Sequence, residues 1–276
     1  MRNFTSLLGA LALLASCQSA GAQDVDVIQE PIVFQNDDVV FHQIDEHTWH
    51  GNGHLVYNES LYLIEGENEA ILLDAGTRIP GLKKIVEDIC HKPVTLIATH
   101  VHGDHTGSAV NEWESIWINA ADEVNVPTNM PSYKGEKKYL RDGQIFDLGG
   151  RQIEVVFTLG HTPGSTTFLD AERHYGFSSD AFGSGNLLVF TDLSTVVATS
   201  QRLTSFIEKY GITHLYPGHY WGNNLETPER VKNVGKICQG ILDGLLEPNT
   251  PGSNPTLPYI VNLHGVKINY GEAQKR

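Results

Sequence analysis

A single layered α/β domain is the fold this chain predicts, and three observations predict it. Apolar runs of strand length alternate with amphipathic stretches of helical period from one end to the other. Hydrophobic residues make up 40% and charged residues 19% of the 276, enough apolar surface to bury a sizeable core. No linker-like stretch separates two halves, and no solenoid repeat or low-complexity run interrupts them. The formal charge of −14 disfavours nucleic acid as partner or substrate, because an acidic surface repels phosphate backbones. A small molecule is the expected partner.

The chain opens on a targeting segment, residues 1–22. Arg2 precedes an apolar run from Leu7 to Leu14 that is too short to span a bilayer as a mature helix. Leu14-Ala15-Ser16-Cys17 has the form of a bacterial lipobox, in which the cysteine is lipidated and attaches the chain to a membrane. Ala20-Gly21-Ala22 before Gln23 offers an A-x-A cleavage site instead. Either route predicts an extracytoplasmic chain: periplasmic or on the outer membrane as a lipoprotein, or secreted.

Residues 23–38 read as a leader. Strands are expected at Val39–Ile44, Leu61–Ile64 and Ala70–Leu73, with Asn52-Gly53 and Glu65–Glu69 as turns. Leu82, Ile85, Val86 and Ile89 fall on one helical face, Pro93 ends that helix, and Val94–Thr99 is a buried strand. Further strands are expected at Ile153–Thr158, Thr166–Leu169, His174–Ser178 and His214–Tyr216. A helix between the last two buries Val196, Leu203, Phe206 and Ile207. Thr227 is the natural N-cap of the next, with Pro228 at its first position. That helix presents Val231, Val234, Cys238, Ile241, Leu242 and Leu245 inward. Tyr259–Leu263 and Val266–Tyr270 flank His264-Gly265 as a terminal hairpin. Cys90 and Cys238 read as small buried hydrophobes rather than a disulfide, since a core of this size needs no staple.

The chemistry concentrates in Thr99-His100-Val101-His102-Gly103-Asp104-His105-Thr106-Gly107, directly after an apolar strand. Four metal-capable side chains in six positions cannot pack as core. Glycines let the backbone fold tightly enough for such side chains to converge, and imidazole with carboxylate suits zinc. His161 in Gly160-His161-Thr162-Pro163-Gly164, Asp180 in Ser179-Asp180-Ala181, and His219 in Pro217-Gly218-His219 follow at later strand ends. Each alone is an ordinary turn residue; in this order they form a set.

The order HxHxDH, then His, then Asp, then His resembles the metallo-β-lactamase superfamily, over roughly Val39 to Tyr270. Asp74 in Leu73-Asp74-Ala75-Gly76 resembles the family's early Asp-x-Gly turn, which supports the metal loop from behind. The resemblance implies an αββα sandwich of two mixed β-sheets flanked by helices, with residues 39–276 as the catalytic domain. It also implies two Zn²⁺ per chain, or other divalent first-row metals. His100, His102 and His161 would hold the first, Asp104, His105 and His219 the second, and Asp180 would bridge them. A hydroxide between the metals would be the nucleophile, with Asp104 as the catalytic residue that orients it and moves its proton.

The other eight histidines, His42, His47, His50, His54, His91, His174, His214 and His264, lack a partner motif. His50 and His54 are candidates for the site mouth, and Trp49 and Tyr57 for apolar substrate contacts; core packing is the alternative for the aromatics. The expected reaction is hydrolysis of a carbonyl bond in an ester, lactone, thioester or amide. A periplasmic β-lactamase is the first alternative, although such enzymes usually have Cys or Ser where this chain has Asp180. Two zinc ions, a hydroxide and two aspartates sum to about +1 by ligand charge, less suited to an anionic antibiotic than a site without the bridging carboxylate. A di-iron oxidoreductase of flavodiiron type is the second alternative; it would have Glu in place of His102 and a further domain. Glyoxalase-type thioesterases share all seven ligand types but act in the cytoplasm. Many acyl-homoserine lactonases have tyrosine where Gly183 stands.

Overall fold

The computed structural model describes residues 28–276; the targeting segment and Cys17 lie outside them. The first sheet has the spatial order β1 (Ile32–Gln35), β2 (Val39–Asp45), β3 (Thr48–Gly53), β4 (Ser60–Glu65), β5 (Ala70–Leu73), β6 (Val94–Ile97), β7 (Ser115–Ile118) and β8 (Glu136–Tyr139). It is antiparallel from β1 to β5 and parallel from β5 to β8. Helix α1 (Leu82–Cys90) makes the crossover from β5 to β6. A short α2 (Val126–Asn129) precedes β8.

The facing sheet runs β14 (His214–Pro217), β12 (Tyr175–Ser179), β11 (Thr166–Asp170), β10 (Gln152–Phe157) and β9 (Ile145–Asp147). A four-stranded sheet adds β13 (Asn186–Leu188), β17 (Val266–Tyr270), β16 (Leu257–Leu263) and β15 (Thr250–Asn254). Helices α3 (Leu193–Tyr210) and α4 (Pro228–Leu242) pack on each other and on that side.

Strand alternation sorts the core into three apolar layers. Leu61, Leu63, Ala70 and Leu72 point outward against Leu82, Ile85 and Val86 of α1. Their neighbours Tyr62, Ile64, Ile71 and Leu73 point inward, against Ile153, Val155, Phe168 and Phe177 of the facing sheet. Beyond that sheet, Val156 and Leu169 meet Val196, Leu203, Val234 and Ile241 of the two long helices. Helix, sheet, sheet, helix is therefore the layering, as expected. β4 and β5 are buried on both faces, which explains their near-continuous apolar runs.

Several local expectations hold and several need correction. Thr227 caps α4, its side chain accepting from the Arg230 N–H, and Pro228 follows at N1. Cys90 and Cys238 are free and buried. Asn52-Gly53 is not a turn: both residues end β3, and the chain reverses over 54–58. Leu245 lies beyond the end of α4 and is exposed, because the helix stops at Leu242 and Gly244 turns the chain away. Ile32–Gln35, within the stretch read as a leader, pairs with β2 as an edge strand. Beyond the two expected sheets, the terminal hairpin joins β15 and β13 in the separate four-stranded sheet. Among the described residues no helix is long and apolar enough to cross a membrane.

Candidate metal centre

Four strand ends converge on one edge of the sandwich. The loop after β6 carries His100, His102, Asp104 and His105; the loops after β10, β12 and β14 carry His161, Asp180 and His219. All seven residues singled out in the sequence come together there. His102 Nδ1 lies 3.1 Å from His100 Nε2 and 3.0 Å from His161 Nε2. Asp104, His105 and His219 form a second group, with Asp104 Oδ2 3.8 Å from His105 Nε2 and 3.6 Å from His219 Nε2. Asp180 Oδ2 faces both groups, at 3.6 Å from His161 Nε2, 3.7 Å from His105 Nε2 and 3.4 Å from His219 Nε2.

The imidazoles are aimed by their other nitrogens. His161 Nδ1 donates to the Leu188 carbonyl at 2.8 Å and His219 Nδ1 to the Tyr57 carbonyl at 3.1 Å. His105 Nδ1 donates to Asp74 Oδ2 at 2.8 Å. Asp74 also accepts from the Thr99 N–H at 2.7 Å and the Thr99 hydroxyl at 2.8 Å, so it ties the metal loop to the end of β5. Asp74 has φ 66° and Ser179, which leads into Asp180, has φ 46°, unusual values for residues with side chains. The Ser179 hydroxyl lies 2.7 Å from that of Thr99, so the same knot holds both loops. Gly218 is required by close approach: a Cβ there would sit 2.1 Å from Asp180 Oδ1.

Burial and neighbouring charge set the protonation of the site. Burial, then the neighbouring His105 and His161, holds His100 well below the usual histidine range. Burial and the imidazoles of His161 and His105 bring His102 down to about 4, and burial lowers His161. These three rings are therefore neutral. Burial opposes charge on His105, but the carboxylates of Asp74, Asp104 and Asp180 outweigh it and hold that ring well above the usual range. Burial likewise opposes charge on Asp180, and His219 and His105 overcome it and keep the carboxylate ionised. His105 Nε2 and Asp180 Oδ1 are buried without a hydrogen-bond partner among the described residues. Buried polar atoms rarely stay without a partner. The donor set fits divalent metal.

A sequence profile described as the metallo-beta-lactamase superfamily matches residues 54–234. The chain belongs to that superfamily. Among its superfamily relatives, human acyl-coenzyme A thioesterase MBLAC2 is 25% identical over 204 residues, which cover 58% of this chain and 72% of that protein. Hydroxyacylglutathione hydrolase GloC of Haemophilus influenzae is 24% identical over 140 residues, covering 45% of this chain and 66% of that protein. Both relatives are hydrolases. The solved metallo-beta-lactamase from Pontibacter korlensis superposes with a TM-score of 0.58 at 17% identity, covering 73% of this chain and 99% of its own. That likeness supports the fold.

The superfamily edge here opens onto a cavity of about 440 Å³, reached by His161, Asp180 and His219 and walled in part by Tyr57 and Trp221. Tyr57, the candidate for an apolar substrate contact, lines this cavity. Trp49 does not: it is buried in the outer core layer. His54 is exposed and outside the cavity lining, and His50 is buried against Tyr62 and Tyr220 behind the His219 loop. Sequence reasoning missed Asp122. Its fully buried carboxylate accepts from the Val101 N–H at 2.8 Å, the Thr162 hydroxyl at 2.9 Å and the Gly164 N–H at 2.7 Å. It therefore fixes the His100-x-His102 loop to the His161 loop. The one signal was Asn119, the cap of the turn that carries it. Phe190, whose ring meets His102 and His161 edge-on at 5.7 and 5.6 Å, was also missed.

Proposed function

We propose that this protein is an extracytoplasmic, zinc-dependent hydrolase that cleaves the acyl C–O bond of an ester or the acyl C–S bond of a thioester. The observation that carries the reading is Asp180 Oδ2, placed between two groups of buried ligand atoms at 3.4 to 3.7 Å from three imidazole nitrogens. His100, His102 and His161 would hold one metal, Asp104, His105 and His219 the other, with Asp180 shared. Metals bound there would make a water nucleophilic near neutral pH and polarise the substrate carbonyl.

The chain's own residues do the rest. Asp74 orients His105 and keeps its Nε2 directed at the site. Asp104, partly exposed beside His105 and His219, would orient the attacking water and receive its proton on the carboxylate oxygen that does not hold the metal. Phe190 sets its ring edge-on against His102 and His161. An acyl substrate is favoured because one relative is a thioesterase and the other hydrolyses hydroxyacylglutathione.

The test uses protein purified without added metal. Elemental analysis should find close to two equivalents of zinc, or a mixture of divalent first-row metals. A panel of acyl-CoA, aryl ester, lactone and β-lactam should show turnover of the first two, abolished by a chelator and restored by zinc. Folded, active, metal-free protein would overturn the reading. For location, labelled fatty acid should enter the wild type in a Gram-negative host and not Cys17→Ser. An unlabelled wild type beginning at Gln23 would favour cleavage at the A-x-A site.

A further inference from the structure

The cavity beside the metal centre is completed by a part of the chain outside the 54–234 superfamily match. Lys267 lies on β17, in register with Asn186 of β13, the strand that follows the Asp180 turn. This parallel pairing carries the terminal hairpin to the cavity. Val266 and Ile268 on either side of Lys267 are buried in the core, so strand alternation directs Lys267 the other way. Among the described residues that line the cavity, Lys267 is the one Lys or Arg and Asp180 the one carboxylate. Unlike Lys84, Lys137, Lys232 and Lys275, Lys267 has no ion-pair partner among the described residues. The remaining walls are aromatic, from Tyr57 and Trp221, and neutral polar, from Asn223 and Asn224.

We propose that Lys267 receives an anionic group on the non-reacting arm of the substrate. The inference rests on the hydrolase reading and deepens it. A protein of net charge −14 repels anions at long range. An unpaired ammonium in a cavity whose other lining residues, Asp180 apart, carry no fixed negative charge gives the remote anionic group an attractive place to dock, with the carbonyl directed to the metal end. The anion is a carboxylate on the acyl side or a phosphate on the leaving group.

Two matched substrate pairs distinguish these sources. The first pair is 4-nitrophenyl hydrogen glutarate against 4-nitrophenyl butyrate; the second is acetyl-CoA against S-acetylpantetheine. Lys267→Ala should raise KM about tenfold for the charged member of one pair, with kcat and the neutral members unchanged. Lys267→Arg should restore it, and the difference should shrink with added salt. The pair that responds identifies the source. Equal effects on charged and neutral members, or none, would overturn the proposal. If the wild type hydrolyses none of the four, the hydrolase reading fails separately. Lys267 is then judged by the fluorescence of Trp221, with Trp221→Phe as control: CoA or glutarate should quench it in the wild type and not in Lys267→Ala. No difference would sink the assignment.

Discussion

Strands β3 and β4 each have one end at the metal centre and the other at a second cluster of buried charge, and the two clusters solve opposite problems. At the far end, Arg151 uses all five of its N–H donors. Nε donates to Asp170, Nη1 to the carbonyls of His47 and Glu65, and Nη2 to the hydroxyls of Thr48 and Tyr175, at 2.8 to 3.1 Å. Tyr175 in turn donates to Asp45, and burial together with that contact pushes its phenol up to about 12. Every charge there has its complement within the protein. At the metal end, His105 Nε2 and Asp180 Oδ1 have no hydrogen-bond partner among the described residues, and two sets of three ligand atoms crowd beside them. Saturated buried charge clamps two sheets together; unsaturated buried charge is a binding site.

The largest expected effect tests the unsaturated end. Asp180→Asn keeps the size and removes the charge shared by both groups. Hydrolysis should fall by about 10³-fold or more, with the metal held by Asp104, His105 and His219 lost first. Kinetics and metal content on the same sample check this; full activity with two metals would show that Asp180 is not shared.

Arg151→Met tests the saturated end and should act on stability alone. Removing the guanidinium leaves buried Asp170 with Arg173 alone and unpairs the His47 and Glu65 carbonyls, and should cost about 3 to 5 kcal/mol in denaturant unfolding. The folded fraction should keep its kcat. A fall in kcat without loss of stability would mean that the two ends are not separable.

Glu226 is an intermediate case. It is fully buried, with Arg230 Nη1 3.6 Å away. Burial pushes its carboxyl up to about 7, against Arg230 and the Ser184 and Gly185 N–H groups, which pull it down. The folded pKa thus exceeds the unfolded value, so the native state binds the extra proton in between. Stability should therefore fall as pH rises from about 4.5 to about 7 and stay lower above it. Glu226→Gln should remove that slope and be more stable than wild type near pH 8, by up to about 3 kcal/mol. Parallel slopes in the two proteins would show that Arg230 compensates the charge fully.

The smallest effect is expected at Asp122. Asp122→Asn keeps one acceptor and loses the other, so either the Val101 or the Gly164 N–H is left unpaired. Metal affinity should weaken about 10- to 100-fold, as for other residues that orient ligands from behind. Competition with a chromophoric chelator measures it. Unchanged affinity would leave Asp122 with a purely structural role.

The sequence by itself was enough for the layered α/β class, the superfamily resemblance and the seven converging residues. Those features are local: an apolar strand followed by HxHxDH, and turns that expose His161, Asp180 and His219. Helix periodicity and the Thr227 cap are equally local, and they appear where expected. What depends on long-range pairing was not legible. The strands β7, β8, β9, β13 and β15 are three to five residues long, too short for periodicity, and exist because a neighbour supplies their hydrogen bonds. Asn52-Gly53 has the composition of a turn, yet pairing with β2 and β4 draws it into a strand. Asp122 looks like any acidic residue in a helical turn until Val101, Thr162 and Gly164 close around it. Lys267 looks like a solvated strand residue until β13 brings it beside Asp180. Sequence specifies which side chains leave the strands at their ends; only the packed sheets decide which of them meet, because a contact between residues some eighty positions apart is set by register and layer rather than by neighbours in the chain.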